Sequence, residues 1–167
     1  PRAPAGLARM AVAMRRRLLL AFVVAGAALA GAPARADIRC SIENVTPVSF
    51  SAYDVFRTVP LDAQGSVTYA CRGVGQRTVR IDLSSGSSGR FNPRSMTSSG
   101  GVLPYNLFLD PACTTIWGDG SGGSSRYGPL SPPNNTAVVV LIYGRIPPGQ
   151  NVAPGSYADS VILTLDF

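Results

Sequence analysis

The apolar runs of this chain after residue 36 are all of strand length, and turn residues such as Gly, Pro, Ser and Asn punctuate them. Runs at 38–45, 65–72, 78–83, 105–110, 137–143 and 157–167 stand apart in this way, and no window sustains the 3.6-residue period of an amphipathic helix. Six or seven short strands with such punctuation predict an all-β chain folded as a sandwich. The last run is the best patterned. Val161, Leu163, Leu165 and Phe167 fall on one face, Ser160, Thr164 and Asp166 on the other, and Ile162 alone breaks the alternation.

The front of the chain predicts export. Arg15, Arg16 and Arg17 precede a 15-residue apolar run, 18–32, which leads through Pro33 to the small-x-small triplet Ala34-Arg35-Ala36. That is the charge, length and exit chemistry of a secretory signal peptide, and the run is shorter than the roughly 20 residues that span a bilayer as a helix. Residues 1–36 are therefore read as a signal segment, with translation starting at Met10 or Met14 and anything earlier taking no part in the fold. Residues 37–167 form one domain, exported to the periplasm and then to the cell surface or medium, and not membrane-spanning once cleaved. Residues Asp37-Ile38-Arg39 ahead of Cys40 lack the small apolar pattern of a lipidation site.

Cleavage removes the charge imbalance. The chain carries a formal charge of +6, but its part after residue 36 has nine Arg against nine acids. The basic character belongs to the export signal, and nothing indicates a nucleic-acid surface.

An exported protein with three cysteines calls for pairing. Cys40 lies in the first predicted strand and Cys71 at the end of the second, and a bridge between them closes a loop worth about 3–4 kcal/mol in the chain-entropy model. Cys113 is left over, either for an intermolecular disulfide or as a free or buried thiol.

Catalytic patterns are missing. The chain has no histidine, which excludes Ser-His-Asp and Cys-His nucleophilic arrangements and the commonest zinc sites. Asp110 and Asp119 are read as turn residues accepting N–H groups rather than as a carboxylate pair. No catalytic, cofactor or metal residue is assigned, and the chain is not read as an enzyme. Trp117, with Tyr105 and Phe108 nearby, is read as packing at a strand end rather than as a ligand platform. The Gly/Ser-rich stretches 84–101 and 118–135 are read as surface loops.

The blocks SFSAYD (49–54), GSVTYAC (65–71), RSM (94–96), YNLFLD (105–110), WGDG (117–120), YGRIPPGQ (143–150) and GSYADSVILTLDF (155–167) follow one another in the order and spacing of a known family. In them the chain resembles the spore coat protein U domain family, which includes subunits of archaic, Csu-type chaperone-usher pili. Trp117, Gly118, Asp119, Gly120, Tyr143, Gly144 and Arg145 carry the most specific part of the likeness. The resemblance implies an incomplete immunoglobulin-like β-sandwich lacking its last strand. It also implies completion first by a periplasmic chaperone, then by a neighbouring pilus subunit delivered through an outer-membrane usher. The unfilled edge would be that of the terminal strand, with Tyr157, Val161, Leu163, Leu165 and Phe167 as acceptor and chaperone contacts and the Phe167 carboxylate as a further handle.

Three departures qualify the likeness. Ser51 stands where the family motif carries Gly, Cys113 is an additional thiol, and cleavage after Ala36 would leave only three residues ahead of Cys40. Three residues cannot run alongside a neighbour's strand. A subunit that accepts a strand without donating one, at the tip or as a minor component of an adhesive or biofilm fibre, is the resulting expectation. A self-sufficient coat or matrix protein and an adhesive, ligand-binding module are the alternatives.

Overall fold

The computed structural model describes residues 2–3, 8–13, 38–73 and 78–167. The apolar run at 18–32 and the expected cleavage site lie outside these residues. The described elements are β1 (Arg2–Ala3), β2 (Ala8–Ala13), β3 (Arg39–Thr46), β4 (Tyr53–Asp54), β5 (Leu61–Arg72), β6 (Val79–Leu83), a 3-10 turn (Gly86–Ser88), β7 (Arg94–Ser98), β8 (Gly101–Phe108), β9 (Tyr127–Leu130), β10 (Ala137–Ile146) and β11 (Asp159–Asp166).

Two sheets face each other. One has the order β3-β5-β10-β8-β7, the other β2-β11-β6-β9, and β1 pairs only with β4. The protein is thus an all-β sandwich of immunoglobulin-like type. Among the described residues no helix is long and apolar enough to cross a membrane.

Alternation explains which residues make the core. Along β5, Leu61, Gly65, Val67, Tyr69 and Cys71 turn inward, and along β10 Val140, Ile142, Gly144 and Ile146 do so. The two strands pair antiparallel from Ala137↔Ala70 to Ile146↔Leu61 and form the backbone of their sheet. From the opposite sheet Val79, Ile81, Leu83, Val161, Leu163 and Leu165 meet them, all fully buried. At about 1.5–3 kcal/mol for each large apolar side chain withdrawn from water, this interior is the main stabilising term.

The expected disulfide is present. Cys40 and Cys71 are register partners of the β3–β5 ladder, with Cα atoms 4.1 Å apart. The bridge ties an edge strand to its neighbour.

One expectation is corrected. The stretches 84–101 and 118–135, read as loops, contain the 3-10 turn, β7 and β9. β7 pairs with β8 as a hairpin from Arg94↔Tyr105 to Ser98↔Gly101, and β9 extends the second sheet beyond β6. Gly-Pro in β9 and the Ser/Thr content of β7 hide them from a reading based on apolar alternation. Residues 8–13, within the segment expected to be removed on export, pair with β11.

Candidate functional site

Three of the sequence blocks, WGDG, YNLFLD and RSM, interlock at the joint between the sheets. Trp117 is fully buried, and its indole N–H donates to the Ile81 carbonyl at 2.9 Å. Its backbone N–H donates to Leu107 in one sheet, while the Gly118 carbonyl accepts from Leu83 in the other. Packing is therefore its role. A Cβ on Gly118 would run into the Ser124 side chain and come within 2.7 Å of Phe91. Asp119 accepts from the N–H and hydroxyl of Ser121, and Asp110 from Thr114 and Thr115, so both carboxylates close turns.

Arg94, from the RSM block, is fully buried beneath this joint. Its guanidinium donates to the Asn106 side chain and to the carbonyls of Ser84 and Trp117, and stacks over Phe91. Burial pulls its pKa down to about 10, still far enough above neutrality for the charge to persist.

At the far end of the first sheet the Tyr53 hydroxyl donates to the Pro147 carbonyl at 3.0 Å and accepts the Gln150 N–H at 2.9 Å. SFSAYD and YGRIPPGQ are thus two sides of one clamp. Gly144 lies over Val48 and Phe50, where a Cβ would approach their side chains to 2.5 and 2.8 Å. Arg145 makes a two-pronged ion pair with Asp62, each contact 2.7 Å, and holds that carboxyl below its usual range. Tyr143 pairs with Phe108 across the β8–β10 ladder.

The Arg145 guanidinium also donates to the carbonyl of Ala112, next to Cys113. That cysteine is the free one, half-buried, and burial pushes its thiol upward, away from reactive thiolate.

The strand expected to be the acceptor edge has the predicted faces. Tyr157, Val161, Leu163 and Leu165 are fully buried, Phe167 packs partly against the same core, and Ile162 is 43% exposed. Tyr157 is anchored by donating its hydroxyl to the Ala153 carbonyl at 2.8 Å. Asp159, the acid of the final G-x-Y-x-D block, is 3% exposed and opens the strand. On one side β11 pairs antiparallel with β6. On the other it pairs parallel with β2, from Asp159↔Ala8 to Thr164↔Ala13. Without β2 that side of β11 is a sheet edge.

The sequence reading named the edge residues and motif residues but not Ser84 or the buried Arg94–Asn106 pair. Nothing in a single sequence marks an arginine between two strands as buried.

A family model, Spore Coat Protein U domain, matches residues 27–164. The chain belongs to this family. A relative within reach of direct comparison is Protein U of Myxococcus xanthus, 30% identical over 115 residues, which are 65% of this chain and 62% of that protein. Among solved structures, the domain resembles a chain in the crystal structure of the CsuC–CsuE chaperone-tip adhesion subunit pre-assembly complex, from archaic chaperone-usher Csu pili of Acinetobacter baumannii. The TM-score is 0.51 at 23% identity, over 79% of this chain and 40% of that one. This chain therefore spans less than two thirds of the length of either protein. The structural likeness carries the immunoglobulin-like fold.

Proposed function

We propose that this spore coat protein U domain is an exported structural subunit of a chaperone-usher type pilus or surface fibre, and that it accepts a strand from another polypeptide along β11. The observation that carries the reading is the occupancy of that edge. β11 turns Val161, Leu163 and Leu165 to the core while its outer backbone groups pair with a separate segment, joined in register at six positions. A sheet edge beside a core is a template for strand addition. Each backbone bond adds about 1 kcal/mol net and each buried apolar side chain about 1.5–3 kcal/mol, so a short strand supplies a large share of a domain's stability.

On this reading residues 1–36 are removed on export, β2 leaves with them, and the vacated edge is filled first by a periplasmic chaperone and then by a neighbouring subunit brought to an outer-membrane usher. Tyr157, Val161, Leu163, Leu165 and Phe167 line the receiving groove. With three residues left ahead of Cys40, the subunit receives a strand without passing one on, which suits a tip or minor position.

A second reading has its own support in the same pairing. If residues 8–13 stay attached, the sandwich closes on itself and the protein is a self-sufficient coat or matrix domain. The mass of the exported protein separates the two, since processing after Ala36 removes the cis strand. The receiving role is tested on the processed domain, with a synthetic peptide of residues 7–14 (LARMAVAM) as donor. Saturable stabilisation by the peptide, and survival in a periplasm only beside a pilus chaperone, are the expected results. A processed domain that is a stable two-state monomer, indifferent to peptide, overturns the assignment.

A further inference from the structure

The two halves of β11 are held in different ways. Residues 163–166 are backed by β6, whose register runs from Leu163↔Leu83 to Asp166↔Arg80. That register stops at Leu163. Yet positions 159–162 supply four of the six places taken by β2, from Asp159↔Ala8 to Ile162↔Ala11.

Side chains hold this half instead. Asp159 Oδ1 accepts the Ser87 N–H at 2.8 Å, the Ser87 hydroxyl at 2.7 Å and the Ser160 N–H at 2.8 Å, and Oδ2 accepts the Tyr105 hydroxyl at 2.8 Å. The fit is close, because a Cβ on Gly86, at φ +68°, would collide with the carboxylate. At the other end of the segment the Ile162 N–H donates to Ser84 Oγ at 2.8 Å, and the Ser84 N–H donates to the Ile162 carbonyl at 2.8 Å. An antiparallel ladder would offer the Ser84 carbonyl to Ile162. Here Arg94 Nε and Nη2 occupy that carbonyl, at 3.0 and 2.9 Å, and the serine hydroxyl replaces it.

We propose that Asp159 and Ser84 are positioning residues for strand capture. They keep 159–162 extended and in register, so that a strand laid parallel along β11 does not itself have to order four residues of backbone. The proposal rests on β11 being the docking edge, as inferred above, but not on which polypeptide supplies the strand.

The test reads the strand that the whole chain carries. Amide hydrogen exchange is measured on residues 1–167 for the wild type, Ser84→Ala, Ser84→Thr and Asp159→Asn. Ser84→Ala and Asp159→Asn are expected to raise exchange at 8–11 and at Val161 tenfold or more relative to 163–166 and to the β5–β10 ladder. Ser84→Thr, which keeps a hydroxyl, is expected to preserve protection. A rise that is equal in β5, β10 and both halves of β11 reports general loss of stability and overturns a positioning role, as does unchanged exchange at 8–11. Should Asp159→Asn not fold, the two serine variants decide. A processed domain that ignores added peptide would sink the fibre reading while leaving this result standing.

Discussion

Asp82, in β6, turns a carboxylate oxygen out of reach of water. Among the described residues its Oδ1 accepts no hydrogen bond, and the nearest cation, Arg126 Nε, is 3.5 Å away. Burial raises its pKa above the ordinary 3.8, with Arg126 only partly opposing. A carboxyl whose folded pKa is raised binds protons more readily in the native state, so its ionisation costs stability as pH rises through the carboxylate range. Asp82→Asn is therefore expected to raise the denaturation midpoint at pH 7, with the gain closing as pH falls below the ordinary carboxylate value. A variant less stable than wild type at pH 7 and level with it in acid would reverse the sign and refute the account. Asp62 obeys the opposite rule, since the Arg145 fork lowers its pKa. Nothing in the pattern of residues tells these two aspartates apart: both sit in strands, and what differs is whether an arginine from another strand arrives with both prongs.

Within β11 the alternation makes a sharper demand. Leu163→Ala removes a fully buried side chain and is expected to cost about 2–5 kcal/mol, whereas Ile162→Ser, at a position 43% exposed, should fall within about 0.5 kcal/mol of wild type in chemical denaturation. Equal losses would mean that the two faces are not distinguished as described. This strand was legible because its period is carried by large aliphatic residues. β3, β5, β6, β8 and β10 were legible for the same reason, with ends displaced by a few residues. β7 was not: its buried positions are Arg94 and Met96, and an arginine reads as exposed until Asn106 and two carbonyls are seen around it. β9 was missed because Gly128 and Pro129 break any strand pattern. The candidate edge could be named from its residues, but the side chains that steady it come from Ser84, Ser87 and Tyr105, which only the folded chain brings to Asp159 and Ile162.

For the whole molecule, the order of covalent and non-covalent ties matters. The Cys40–Cys71 bridge spans a sequence separation of 31, and removing it as a Cys→Ala pair is expected to cost about 3–4 kcal/mol, read from paired denaturant curves. A double variant as stable as wild type would show that the ladder alone holds β3. The bridge also sits at a telling place. Cys40 is the second residue of its strand, and its partner lies on β5, which is zipped to β10 over ten consecutive positions. Tension applied to the residues ahead of Arg39 therefore reaches a covalent bond almost at once and passes into the widest ladder of the sandwich, so that β3 would not be peeled away one rung at a time.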